Sequence, residues 1–196
     1  MFIQTEETPN PAALKFLPGK AVLESGVADF ISHAAAQRSP LARLLFEIDG
    51  VAGVFLGSDF VTVTKTADKN WQVLKPMVLG AVMDHFTSGA PMLEGDGAGS
   101  DTEDSDSEAQ DDDYNDAGVG GEVIAQIKEL IDTRVRPSVA QDGGDIIYRG
   151  FKNGTVYLSL RGSCAGCPSS SATLKMGIEN MLRHYVPEVL QVEAVS

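Results

Sequence analysis

Apolar positions along this chain change period several times, and the changes divide it into two halves. Phe2-Ile-Gln-Thr and Leu14-Lys-Phe-Leu flank the proline-rich stretch Thr8-Pro-Asn-Pro-Ala, which predicts two strands joined by a loop. Pro40 is placed to open a helix with Leu41, Leu44, Leu45 and Ile48 on one face, ending at Asp49-Gly50. Residues 51–56 and 60–65 are β-branched and aromatic runs separated by Gly57-Ser58-Asp59, the composition of a hairpin. Trp71, Leu74, Val78, Val82 and Phe86 then recur at helical spacing, which assigns Trp71 to a core.

The second half opens with Val123, Ile124, Ile127, Leu130 and Ile131 on one helical face, in a helix expected to stop before Pro137. Residues 145–150 and 155–160 read as strands, joined by a turn whose Asn153-Gly154 pair suits a tight hairpin. A helix from about residue 169 to 185 carries Leu174, Ile178, Met181, Leu182 and Tyr185 on one stripe, and residues 189–195 close as a strand. There is no internal repeat. The expected class is α+β, with two small α+β domains over residues 1–93 and 119–196.

Between them, residues 94–118 read EGDGAGSDTEDSDSEAQDDDYNDAG, almost without large apolar side chains. Such a stretch buries too little surface to offset its ordering entropy, and its like charges repel, so it reads as a flexible acidic linker. A metal- or partner-binding tail is the rival reading, disfavoured because cation loops place Gly and acidic residues at fixed offsets that this run lacks.

The linker also localises the charge. The chain carries a formal −13, but 11 acidic and no basic side chains lie in residues 94–116, so the remainder is close to neutral. Nucleic acid is not an expected partner. A hydrophobic share of 43% is that of a globular protein, and no apolar run approaches the roughly 20 residues that span a bilayer, so no membrane association is expected. The first residues, Met-Phe-Ile-Gln-Thr-Glu-Glu, lack the features of a secretory signal or an organellar presequence, which makes a bacterial-type cytoplasm the default location. A trimmed mitochondrial chain would read the same.

The chemistry concentrates in Arg161-Gly-Ser-Cys164-Ala-Gly-Cys167-Pro-Ser-Ser-Ser171, between a predicted strand and a predicted helix. Amides at a helix start and the positive end of its dipole stabilise negative charge, favouring thiolates and making the sulfurs better metal ligands. Ala165 and Gly166 add no bulk between them, and Pro168 suits a first helical position. In a reducing compartment a C-x-x-C pair is a metal or redox site more often than a disulfide.

A closed zinc site or a cluster needs four protein ligands, and the chain has 2 cysteines. His33 and His85 belong to the other half and His184 lies far down the last helix, so two chains supplying two thiolates each would complete the set. A dithiol oxidoreductase with Cys164 as nucleophile and Cys167 as resolving thiol stays open. Against it, Ser163 precedes the pair where such enzymes usually carry an aromatic residue, and the proline follows the pair. A structural zinc dimer also stays open.

Asp142-Gly-Gly-Asp145, the cysteine loop from Arg161 to Ser170, and Leu174-Lys-Met-Gly-Ile-Glu-Asn-Met-Leu182 together resemble the C-terminal domain of NifU, shared by the Nfu-type iron–sulfur cluster proteins. The opening Phe2-Ile-Gln-Thr-Glu to Thr8-Pro-Asn-Pro, with Leu14-Lys-Phe, is similar to the N-terminal domain fused to it in bacterial and mitochondrial Nfu proteins. The resemblance implies a carrier, not an enzyme, that binds an iron–sulfur cluster through Cys164 and Cys167 of each of two subunits and delivers it to apo-proteins. The cluster would be of the 4Fe-4S rather than the 2Fe-2S type, although two pairs of thiolates serve either. Implied partners are a second copy of the chain, apo iron–sulfur clients and other cluster-assembly factors. The acidic linker is expected to act as a mobile tether that leaves the N-terminal half free to meet clients. The long acidic linker departs from the family pattern.

Other features have plainer readings. Asp142-Gly143-Gly144-Asp145 is a turn needing glycine dihedrals more readily than a metal site. Ser169, Ser170 and Ser171 suit helix capping as well as donation to sulfide. The Thr8-Pro-Asn-Pro11 loop is either a partner contact or a rigid turn.

Overall fold

The computed structural model describes residues 2–94, 121–165 and 168–195, with the backbone alone for residues 168–171. Most of the expected acidic linker and Cys167 lie outside them. Within them the chain is α+β, in two domains.

The N-terminal domain is a five-stranded antiparallel sheet of order β1-β2-β5-β4-β3, from Gln4–Glu7, Ala13–Leu17, Ala28–Phe30, Val51–Leu56 and Val61–Lys65 numbered in chain order. Two helices, α1 (Pro40–Phe46) and α2 (Trp71–Ser88), share a core with one face of it. Leu14 and Phe16, Val54 and Leu56, and Val61 and Val63 alternate inward to meet Leu41, Leu45, Leu74, Val78 and Val82. Ser39 caps α1 by accepting from the Ala42 amide, and Asn70 caps α2 by accepting from Gln72. Trp71 is half-buried against this core and its indole donates to the Pro11 carbonyl. The hydrophobic pattern did not reveal β3 or the 3₁₀ turn Ala35–Arg38, both too short to show a period. Glu94, expected to begin the linker, is tied to this domain by Arg43 at 3.0 Å.

The C-terminal domain begins with α3 (Gly121–Leu130), a wide turn over Ile131–Val135 and α4 (Arg136–Gln141). The expected stop before Pro137 is corrected. The Arg136 amide reaches back five residues to the Ile131 carbonyl, and after that π-type turn Pro137 stands in the first turn of α4, where its missing N–H costs little. β6 (Gly144–Lys152) and β7 (Thr155–Gly162) form a hairpin, with Asn153 at φ 52° and Gly154 at φ 79° making the predicted turn.

The chain then crosses over through α5 (Pro168–Tyr185) and returns as β8 (Gln191–Val195), which pairs parallel to β7. Ile178 and Leu182 of α5 close a core with Ile127, Ile131, Ile146, Val156, Leu158 and Val192. The cysteine loop is the first turn of this strand–helix–strand crossover.

The two domains are not separate bodies. Lys15, Thr62 and Phe55 are cross-strand neighbours on β2, β5 and β4, on the sheet face opposite the N-terminal core. In an isolated domain that face would be wet, yet Thr62 and Phe55 are each 1% exposed and Lys15 7%. The C-terminal domain covers them. The expectation of a freely tethered N-terminal half therefore gives way to a packed one, and burying a phenylalanine in such a contact contributes about 1.5–3 kcal/mol.

Candidate functional site

Cys164 stands in the turn between β7 and α5, buried at 7% exposure. Three glycines set its position. Gly143, at φ 79°, ends α4, and its carbonyl accepts from the Ser163 amide at 3.2 Å. Gly144 opens β6 opposite Gly162, and a β-carbon added there would lie 2.8 Å from the Cys164 sulfur and 2.7 Å from the Arg161 carbonyl. Gly162, at φ 64°, has the Phe55 ring 3.0 Å from where its β-carbon would be. The Asp142-Gly-Gly-Asp145 segment is thus the predicted turn, and it is also the cradle in which the sulfur sits.

Side chains complete the frame. Ser163, 2% exposed, donates from Oγ to the Asp142 carbonyl and lies 3.9 Å from the Cys164 sulfur. Asp145, likewise buried, is held by the Arg136 guanidinium through Nε at 3.2 Å and Nη2 at 3.4 Å. Arg136 also donates to the Ile146 carbonyl and pairs with Asp132, locking the start of β6 to the end of the helical segment. Removing Arg136 would leave the buried Asp145 carboxylate unpaired, so the pair holds the cradle's geometry rather than supplying chemistry.

The N-terminal domain contributes what the sequence did not announce. Thr62 Oγ1 donates to the Gly143 carbonyl at 2.8 Å, and Lys15 Nζ to the Gln141 carbonyl at 3.1 Å. Asn10, in the Thr-Pro-Asn-Pro loop, donates from Nδ2 to the Ser163 carbonyl at 3.1 Å and the Ala165 carbonyl at 3.5 Å. Polar residues at alternate positions of otherwise apolar strands, Lys15 between Leu14 and Phe16 for instance, were the available signal, and solvent exposure explains that pattern equally well.

Of the sequence-predicted ligands, Cys164 is placed and Cys167 lies outside the described residues, as do the side chains of Ser169, Ser170 and Ser171. His33 and His184 are exposed and His85 is buried in α2, none of them in the cysteine turn. Among the described residues, no group of three or more His, Cys, Asp or Glu side chains could hold a metal ion. None of the described helices is long and apolar enough to cross a membrane.

Residues 3–89 match the family model "Scaffold protein Nfu/NifU N terminal", and residues 127–193 match "NifU-like domain". The human mitochondrial NFU1 iron–sulfur cluster scaffold homolog is 53% identical over 196 residues, spanning 100% of this chain and 72% of its own length. Mitochondrial NifU-like protein 5 of Arabidopsis thaliana is 53% identical over 195 residues, with 98% of this chain and 67% of its own length covered. The solution structure of a NifU-like protein from Saccharomyces cerevisiae superimposes on 49% of this chain and 87% of its own, at 26% identity and a TM-score of 0.40.

The human and Arabidopsis relatives overturn the expected bacterial-type cytoplasmic location: both are named mitochondrial, at 53% identity, and they point to mitochondria. Amino-terminal composition was a poor guide because it does not separate a cytoplasmic chain from a trimmed organellar one. Matched in both halves by its family's models, and alike over its full length to relatives named as scaffolds, the chain belongs to the Nfu/NifU-like family of scaffold proteins.

Proposed function

We propose that this protein is an iron–sulfur cluster scaffold and carrier that holds its cargo between two copies of the chain, through Cys164 and Cys167 of each, and passes it to apo iron–sulfur proteins. The observation that carries the reading is the position of Cys164, cradled by Gly144 at the strand-to-helix crossover of the NifU-like domain. The name of the human relative, an iron–sulfur cluster scaffold homolog, supports the scaffold part of the reading.

The donor set fits the cargo. Soft thiolates suit iron, and a turn leading into a helix aims amides and the positive dipole end at the negative charge of a thiolate-bound cluster. With 2 cysteines per chain, two chains supply the four thiolates that a 2Fe-2S or a 4Fe-4S cluster needs, and the family resemblance favours the latter. Only two bonds to each subunit suit a cargo that is handed on, by exchange of Cys164 and Cys167 for client thiolates. The role asks for no acid–base pair and no catalytic turnover.

Anaerobic reconstitution followed by iron, sulfide and zinc analysis and sizing chromatography tests this. The expected product is a coloured dimer containing iron and sulfide, lost on Cys164→Ala or Cys167→Ala. A colourless zinc dimer, or a colourless monomer that reduces disulfides, would overturn the reading.

A further inference from the structure

The contact between Asn10 and the cysteine loop crosses the domain boundary and joins residues 153 positions apart. Asn10 is 5% exposed, and its orientation is set from both sides. Oδ1 accepts from the Ala12 amide at 3.0 Å, which leaves Nδ2 as the atom facing the loop. Thr8 Oγ1 donates to the Asn10 carbonyl at 2.8 Å and accepts from the Asn10 amide at 3.2 Å, closing the turn that presents it. The two carbonyls that Asn10 holds, on Ser163 and Ala165, flank Cys164 on either side.

Nothing else from the N-terminal domain reaches that turn by a described hydrogen bond. Thr62 and Lys15 bind the segment that precedes β6, at Gly143 and Gln141. Asn10 thus holds the cysteine turn directly, whereas Thr62 reaches it only through the Gly143 carbonyl that also accepts from the Ser163 amide.

We infer that Asn10 is a positioning residue for Cys164: its amide, supplied by the N-terminal domain, holds the loop in the conformation that keeps the sulfur covered, so access to the thiol depends on whether the two domains are docked. The reach of the sulfur toward a partner chain or a client then requires Asn10 to let go. The effect on cluster loading rests on the function proposed above, whereas the effect on thiol access does not.

The test uses the full chain, metal-free and reduced, and reads the rate at which iodoacetamide alkylates Cys164, followed by mass spectrometry in a Cys167→Ser background so that one thiol reports. Asn10→Asp keeps the shape but turns a carboxylate oxygen toward two carbonyl oxygens; Asn10→Ala removes the side chain. Both are expected to raise the rate about tenfold, the effect of losing a hydrogen-bonded hold on a local opening. Thr62→Val, which weakens docking and reaches the loop only through the Gly143 carbonyl, is expected to raise it by less.

Alkylation of folded Asn10 variants at the parent rate would overturn the inference, and so would equal acceleration by Thr62→Val, since Asn10 would then be one docking contact among several. If neither Asn10 variant folds, Thr62→Val decides alone: any acceleration above the parent supports dependence on docking, and the parent rate refutes it. Because the readout is alkylation, a chain that fails to take up iron would count against the proposed function and leave this result standing.

Discussion

A β-carbon on Gly144 would come within 2.8 Å of the sulfur of Cys164, closer than carbon and sulfur approach without a covalent bond. The strand that opens the C-terminal sheet and the loop that carries the cysteine are thus fitted to each other at a single hydrogen atom. This explains a glycine that sequence reasoning had assigned to turn formation alone.

The first prediction follows from that contact. Gly144→Ala forces either β6 or the cysteine turn to move and is expected to destabilise the C-terminal domain by about 1–3 kcal/mol. Iron and sulfide retained after reconstitution should fall with it. Gly177→Ala is the control: that glycine lies in α5 with nothing within 4 Å of its would-be β-carbon. There the change should stabilise by about 0.5–1 kcal/mol through helix propensity, as read from urea denaturation.

The buried carboxylate of Asp145 depends on Arg136. Arg136→Met should cost about 1–3 kcal/mol, because it removes the partner of a buried carboxylate and the donor to the Ile146 carbonyl, although the guanidinium itself is half-exposed. Replacing both residues together, with Asp145→Asn added, should cost less than the sum of the single changes. A double-mutant cycle in urea measures the difference, and strict additivity would show that the pair is not coupled.

Stability should also fall in mild acid because of His85. This side chain is 4% exposed, its Nε2 has no hydrogen-bond partner among the described residues, and burial pushes its pKa below the ordinary imidazole value. The unfolded chain then binds more protons than the folded one. The folded state is favoured above the ordinary value of about 6.5 and loses that advantage as pH falls through and below it. The urea midpoint is expected to drop between pH 7.5 and 5.5, and His85→Leu to flatten the change. An equal drop in His85→Leu would assign it to other groups.

The hairpin turn makes a fourth prediction. Asn153 adopts a left-handed conformation that asparagine tolerates and alanine does not, so Asn153→Ala should cost about 1 kcal/mol. Gly154→Ala should cost more, since its φ is also positive and a β-carbon would meet the Leu190 side chain at 2.7 Å. Thermal melts of the two variants should rank in that order.

Most helices and strands were legible because their information is local. The 3.6-residue recurrence of Leu74, Val78 and Val82 and the Asn153-Gly154 pair are written in positions a few residues apart, so they can be read before knowing what packs against them. The C-x-x-C motif is local too, and a count of cysteines was enough to frame the proposal of two subunits sharing one site. Pro137 misled because a proline's cost depends on where the helix turn before it widens, which only the folded backbone reveals.

What lay beyond the sequence was every relation between residues far apart in it. Lys15, Thr62 and Phe55 alternate with core residues just as a solvent-facing set would, and only the second domain's arrival over that face makes them buried. The parallel pairing of β8 with β7, the glycine cradle under Cys164 and the hold of Asn10 on the cysteine loop are of the same kind. Periodicity records which side of an element is apolar. What comes to cover the other side is decided when distant segments meet, and that contact leaves no repeating mark along the chain.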